Sequence, residues 1–311
     1  MPFSLLKKYL EMIRFSHTLF AMPFALLAAV MAWFLNENPF RWLDLAGMLL
    51  AMIFARSAAM AFNRLADRDI DAKNPRTAGR HLPAETLGVA GVIGFTVFCS
   101  LGFIASTLCF LPGNPLPLAF SVPVLIFLFS YSLMKRYTVF VHFFLGVALM
   151  LAPLAAWVAI RGTIFVQAWQ NGWQTLGMAE FSPFLLATAV FFWSAGFDII
   201  YACMDADFDR ESGVYSIPGR LGTRTALRLA AMCHLLVPVP LFALCAVFPH
   251  FRTIWCLAVA GVACLLIYEH RIVDPKNPVK VNVAFFYVNV VISMALLLAG
   301  GVEIFRFSFF E

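Results

Sequence analysis

Apolar residues run along this chain in nine long stretches separated by short polar segments. They fall near 16–36, 43–63, 86–111, 116–134, 138–160, 181–203, 226–248, 252–272 and 282–304. Crossing the hydrocarbon of a bilayer takes about 20 apolar residues in a helix. Inside that hydrocarbon each backbone polar group must bond within its own segment, so the runs predict helices. The pattern therefore predicts an all-α polytopic membrane protein with nine transmembrane helices. Pro39, Pro112-Gly113, Pro123, Pro153, Pro183, Pro238 and Pro240 mark ends and bends. The first run follows Lys7, Lys8 and Arg14, as in a signal peptide. It has no small-residue cleavage site, so it reads as a retained span.

Composition agrees. The 311 residues are 62% hydrophobic and 13% charged, against about 25% charged in soluble domains. The seven cysteines are scattered through apolar segments without a C-x-x-C; they read as small hydrophobes, with no disulfide or zinc expected.

The net charge of +5 could suggest nucleic acid, but the placement of the cations argues against it. With the N-terminus in the cytoplasm, that side receives Lys7, Lys8, Arg14, then Arg64, Arg68, Lys73, Arg76, Arg80. It also receives Lys135, Arg136, then Arg210, Arg220, Arg224, Arg228, and last Arg271, Lys276, Lys280. The opposite side has Arg41, Arg161, Arg252 and Arg306, and Arg56 lies within a span. This bias predicts an integral protein of the cytoplasmic (inner) membrane with a cytoplasmic N-terminus and the C-terminus opposite. No nucleic-acid partner is expected.

Two acidic clusters stand where helices two and six leave the membrane on the cytoplasmic side. The first is Asn63-Arg64-Leu65-Ala66-Asp67-Arg68-Asp69-Ile70-Asp71; the second is Tyr201-Ala202-Cys203-Met204-Asp205-Ala206-Asp207-Phe208-Asp209. Both read polar-x-x-x-Asp-x-Asp-x-Asp. Four helices separate them, which suggests two four-helix repeats plus a ninth helix. On a continuing helix, Asn63, Asp67 and Asp71 share one face at i, i+4 and i+8, as do Tyr201, Asp205 and Asp209. Each stripe extends inward seven residues to a further ionisable group, Arg56 and Asp198. Charges within a span usually face a cavity or a partner. The implied geometry is one polar pocket opening to the cytoplasm.

Four carboxylates facing one pocket need positive charge between them. Magnesium takes one or two carboxylates and completes its octahedron with water and phosphate oxygens. Arg64, Arg68, Lys73, Arg76, Lys135, Arg136, Arg210 and Arg220, all on the same side of the membrane in this reading, suit the remaining phosphate oxygens. Apolar helices around such a pocket suit a lipid tail. The inferred substrate is a lipid diphosphate.

Simpler readings compete. Acidic residues at a helix exit are usually a solvated cap, but two matching clusters at equivalent exits weaken that account. An EF-hand needs Gly at loop position six and Glu at twelve; Ala72 and Ala78, then Arg210 and Ser216, occupy them. The six histidines show no ligand spacing and read as structural or interfacial. Trp42, Trp157 and Trp173 read as an interfacial belt.

The patterns N-x-x-x-D-x-x-x-D at Asn63, Asp67, Asp71 and Y-x-x-x-D-x-x-x-D at Tyr201, Asp205, Asp209 resemble those of the UbiA superfamily of intramembrane aromatic prenyltransferases. Tyr131-Ser132-Leu133-Met134-Lys135-Arg136-Tyr137-Thr138 resembles its basic loop. Gly213-Val214-Tyr215-Ser216-Ile217-Pro218 with Arg220 and Gly222 resembles the stretch after its second Asp motif. One departure is Arg64, where many members carry Asp; this position is therefore assigned to phosphate. The resemblance covers nearly the whole chain as one prenyltransferase domain. It implies nine helices around a central cavity and cytoplasmic cap loops at about 64–85 and 204–225. It also implies Mg²⁺-dependent prenyl transfer. The segments at 14–17, 55–64 and 197–201 look closest to the 4-hydroxybenzoate polyprenyltransferase-like branch.

On that reading Asp67, Asp71, Asp205 and Asp209, with Asn63, hold Mg²⁺ on a polyprenyl diphosphate, and Tyr201 lines its site. Arg56 or Arg136 binds the carboxylate of a phenolic aromatic acid, and Asp198 orients the phenol or aids deprotonation. The reaction is electrophilic aromatic substitution in ubiquinone or menaquinone biosynthesis. The acceptor is 4-hydroxybenzoate-like; the alternative is 1,4-dihydroxy-6-naphthoate in the futalosine route. A reading of another class is an ion-coupled transporter, which would place its site near the midplane rather than at one membrane face.

Overall fold

The computed structural model describes residues 2–14, 20–35, 40–111, 113–275 and 277–310. His17, Pro39, Pro112, Lys276 and both ends of the first expected span lie outside the described residues. The helices are α1 (Pro2–Met12), α2 (Met22–Phe34), α3 (Trp42–Lys73), α4 (Val89–Thr107), α5 (Leu116–Leu133), α6 (Val141–Asn171) and α7 (Ser182–Ala202). They continue as α8 (Ala206–Ser212), α9 (Ile217–Leu221), α10 (Thr223–Leu236), α11 (Pro238–Val247), α12 (Thr253–Ile272), α13 (Pro278–Asn282) and α14 (Asn289–Phe310). Among the described residues, eight helical stretches are long and apolar enough to span a membrane, and α2 is a shorter apolar helix beside them. The all-α membrane architecture expected from the apolar runs is thus present.

Several boundaries differ for local reasons. The seventh run divides into α10 and α11 at Val237, where Pro238 and Pro240 remove backbone donors. α6 runs ten residues past Arg161 instead of ending before it. Arg161 is buried and pairs with Glu180 through Nη2 and, at 3.0 Å, through Nε. Glu180 also accepts from Trp157 Nε1 at 3.1 Å. Trp157 is therefore a core residue, fully buried, and not part of an interfacial belt. Its polar edge has an internal partner, so the ring needs no water. Trp42 and Trp173 are exposed.

The chain forms two compact units, residues 1–18 with 42–137 and residues 19–41 with 138–311. The first has α3 packed on α4 and α5, with α1 against α3. Its apolar contacts centre on Ala58, Cys99, Phe103 and Leu125, and at the other end on Met12, Ile13, Ala61, Leu82 and Val92. Gly47 and Gly102 allow close approach: a Cβ on Gly47 would meet Cys109 Cβ at 2.7 Å, and one on Gly102 the Phe54 ring at 2.8 Å.

The second unit contains α2 and everything after Tyr137. α2 is apolar all round and packs on α6 and α14, so sequence order and packing divide the chain differently. Phe20, Trp193, Phe197 and Phe285 meet in edge contacts of 4.9–6.4 Å between ring centres. Residues Val283–Val288 are π-helical. That insertion misaligns the backbone ladder, and the buried Asn289 amide donates to the Ala284 and Phe285 carbonyls at 3.2 and 3.0 Å.

Candidate active site

The first acidic cluster lies on unbroken helix, since α3 continues to Lys73. Asn63, Asp67 and Asp71 therefore share a face. Asp67 is buried. Its Oδ2 accepts from Asn63 Nδ2 at 2.9 Å and lies 2.7 Å from Lys135 Nζ. Its Oδ1 is buried without a hydrogen-bond partner among the described residues. Native proteins rarely leave a buried carboxylate oxygen unsatisfied, because desolvation without compensation is costly. Asp71 is buried too, and both its oxygens accept from Arg80 Nη1, at 2.8 and 2.7 Å. Its backbone carbonyl accepts from Thr77 Oγ1 at 3.0 Å, which fixes the turn after α3.

The basic residues divide by role. Arg64, expected at phosphate, is buried; it donates through Nε to the Met12 carbonyl at 3.2 Å and through Nη1 to Asn63 Oδ1 at 3.2 Å. It ties α1 to the cluster and fixes which way the Asn63 amide points. Arg68 faces outward and pairs with Asp69 at 3.0 Å. Arg136 is exposed and donates to the Ala66 carbonyl. Arg56 lies deeper on α3, half-buried, and its Nε is a buried donor with no hydrogen-bond partner among the described residues.

The second cluster departs from the expected single stripe. α7 ends at Ala202, Cys203–Asp205 form a 3₁₀ turn, and α8 begins at Ala206. The cause is local. The Cys203 thiol donates to the Ile199 carbonyl at 3.3 Å, while the Cys203 N–H bonds the Ile200 and Tyr201 carbonyls. A tighter turn rotates the later residues relative to Tyr201, so Tyr201, Asp205 and Asp209 do not form a regular i, i+4, i+8 row. Asp209 is buried and Asp205 half-buried. The Tyr201 ring lies 4.4 Å from that of Phe285.

α8 stops at Gly213, which takes the left-handed conformation (φ 72°). The chain then returns along α8. Ser216 caps α9 by accepting from the Gly219 N–H at 3.1 Å. A Cβ on Gly219 would lie 2.9 Å from Asp209 Cβ and from Ser216 Oγ, so only glycine permits this approach. Arg220 is exposed and lies over the Tyr215 ring, 4.4 Å from its centre. Asp198, on α7, has Oδ2 2.7 Å from His142 Nδ1 on α6. Sequence reading passed over His142 because its partners lie 56 and 75 positions away.

Among the described residues, no three His, Cys, Asp or Glu side chains gather as a metal-binding group. An ion that needs only one or two carboxylates does not require such a group. Magnesium completes its shell with water and phosphate. The orphaned Asp67 Oδ1 and the all-oxygen character of both clusters fit it.

A family model described as the UbiA prenyltransferase family matches residues 21–291. The chain is 31% identical over 188 residues to a protein named 4-hydroxybenzoate octaprenyltransferase from Burkholderia vietnamiensis (strain G4 / LMG 22486), a match covering 58% of this chain and 57% of that protein. It is 28% identical over 261 residues to one of the same name from Vibrio parahaemolyticus serotype O3:K6, covering 83% of this chain and 85% of that protein. Among solved structures, a UbiA homolog from Aeropyrum pernix K1 superposes with TM-score 0.77 at 28% identity, covering 92% of this chain and 97% of that one. A UbiA homolog from Archaeoglobus fulgidus bound to GPP and Mg²⁺ superposes with TM-score 0.68 at 18% identity, covering 96% and 99%. The matched span takes in both acidic clusters and nearly every helix, and on that ground the chain belongs to the UbiA prenyltransferase family.

Proposed function

We propose that this protein transfers a polyprenyl group from a polyprenyl diphosphate to a phenolic aromatic acid of the 4-hydroxybenzoate kind, in ubiquinone or menaquinone biosynthesis. The reading draws support from the family and from relatives named 4-hydroxybenzoate octaprenyltransferase. Membership of a transferase family leaves the transporter reading without support. The observation that carries the proposal is Asp67: a buried carboxylate with one oxygen on Lys135 and Asn63 and the other without a partner.

Asp67, Asp71, Asp205 and Asp209, with Asn63, would hold magnesium. The ion would place positive charge against the diphosphate oxygens as the prenyl C–O bond breaks. Lys135 and Arg136 beside the first cluster, and Arg220 and Tyr201 beside the second, would serve phosphate oxygens. Arg64 serves by anchoring Asn63. The electron pair of the broken bond leaves on the diphosphate. The ring carbon ortho to the phenol makes the new C–C bond, and its proton goes to a base, for which Asp198 is placed one helical step from the second cluster. The unpaired Nε of Arg56 suits a carboxylate on the acceptor. The bias of Lys and Arg supports an inner-membrane location with the acidic clusters at the cytoplasmic face.

The test is incubation of purified protein and Mg²⁺ with farnesyl and longer diphosphates, against 4-hydroxybenzoate and 1,4-dihydroxy-6-naphthoate, with products identified by mass. Prenylated 4-hydroxybenzoate is the expected product. Prenylation of the naphthoate alone would move the acceptor, and no transfer to either acid would end the proposal.

A further inference from the structure

Asp198 is the innermost acid of the second cluster's helix, and its environment is specific. Its Oδ2 lies 2.7 Å from His142 Nδ1. The other ring nitrogen, His142 Nε2, accepts the backbone N–H of Ile217 at 3.3 Å. Ile217 opens α9, the segment that Gly219 brings against Asp209. A ring nitrogen that accepts a hydrogen bond carries no proton, so the neutral imidazole has its single proton on Nδ1. That proton points at Asp198. His142 is 3% exposed, whereas the Asp198 side chain is one-quarter exposed (25%). One carboxylate oxygen is thus engaged from the protein side. Among the described residues Asp198 has no other partner, which leaves Oδ1 for a ligand.

Resting on the function proposed above, we infer that His142 is a positioning residue for the aromatic acceptor. It fixes the rotamer of Asp198 by donating to Oδ2, and Oδ1 takes the proton that leaves the ring as the C–C bond forms. A carboxylate held this way cannot turn both oxygens to the acceptor or swing out of line. Histidine suits the position because its second nitrogen accepts from Ile217, which holds the ring in the tautomer that donates to Asp198. An imidazole fixed by a backbone group on one side orients a carboxylate on the other, much as the hydrogen-bond partners of metal ligands orient those ligands, where their loss typically costs about 10–100-fold.

Two substitutions separate the two ring nitrogens. The amide of Asn reaches roughly where Nδ1 lies, and that of Gln roughly where Nε2 lies. We expect H142N to keep prenyl transfer within about threefold of wild type. H142Q should lose about 10–100-fold in kcat/KM for the aromatic acid, with the KM for the prenyl diphosphate unchanged. D198N should fall at least as far, and D198N combined with H142Q no further than D198N alone. The inference is overturned if H142Q behaves as wild type while H142N fails, which would leave His142 with only the Ile217 contact. It is also overturned if the variants change the KM for the diphosphate and not that for the acid. A folded monodisperse peak in detergent is required of each variant. Should H142Q lack one, H142N decides with D198N: a folded but inactive H142N overturns the inference. If wild type prenylates no aromatic acid, the function proposed above fails first, and that result is separate from any difference between the variants.

Discussion

Lys135, just past α5, places its ammonium 2.7 Å from Asp67 Oδ2 on α3. The same carboxylate oxygen accepts from Asn63, and the opposite oxygen has no hydrogen-bond partner among the described residues. One acid therefore has both a protein cation and a free coordination position. D67N should reduce turnover by at least about 100-fold, because the amide cannot replace an anionic ligand to a hard cation. K135M should lower kcat/KM for the prenyl diphosphate by about 10–100-fold, since a charge near the leaving group is lost. Steady-state titration of the diphosphate at fixed Mg²⁺ checks both. Near-normal rates in D67N would remove Asp67 from the metal site.

Metal removal gives an independent check. Stripping divalent ions with EDTA should abolish transfer, and added Mg²⁺ should restore it in wild type. In D67N the Mg²⁺ concentration for half-maximal rate should rise or restoration should fail. Transfer that persists in EDTA would contradict the assignment.

Arg56 has a buried Nε with no hydrogen-bond partner among the described residues. A donor in that state is poised for an anion, and a carboxylate on the acceptor is the anion the proposed reaction supplies. R56A should raise the KM for the aromatic acid by about 10–100-fold and leave that for the diphosphate within about twofold. The two titrations run side by side decide it.

Arg80 neutralises the buried Asp71 through two contacts of 2.7–2.8 Å. Removing only the cation leaves a buried charge uncompensated, so R80A should destabilise by about 3 kcal/mol. Asp71 and Arg80 replaced together should cost less than R80A alone. Thermal unfolding midpoints of the three proteins in detergent test the order.

Glu303 performs a purely structural task at the start of α12. Its carboxylate accepts from the N–H groups of Arg252, Ile254 and Trp255 at 2.8–2.9 Å. These are donors that a helix start otherwise leaves unpaired. E303A should lower stability by about 1–3 kcal/mol, with the kcat of the folded fraction unchanged. G219A offers the converse, because its Cβ would displace Asp209. Activity should fall more than the unfolding midpoint does.

The spans were legible from local composition because lipid selects for it directly: a segment surrounded by hydrocarbon must be apolar and helical whatever its neighbours. The stripe Asn63, Asp67, Asp71 was legible for the same reason, since α3 keeps one period through it. The equivalent stripe at Tyr201, Asp205, Asp209 was misread. The chain tightens into a 3₁₀ turn over Cys203–Asp205, and no periodicity announces it. Trp157 looked like other interfacial tryptophans until Glu180 appeared beside its indole N–H.

Periodicity and charge bias by themselves determined that the chain is helical, membrane-embedded and armed with two acidic clusters, because those features follow from each residue's solvent and nearest neighbours along the chain. Only the tertiary structure decided which cation meets which acid: Lys135 with Asp67, Arg80 with Asp71, His142 with Asp198. Such pairings depend on the rotation and depth at which separate helices pack. That register is set where a missing side chain lets helices approach, as at Gly47 against Cys109 and Gly102 against Phe54, residues distant in sequence.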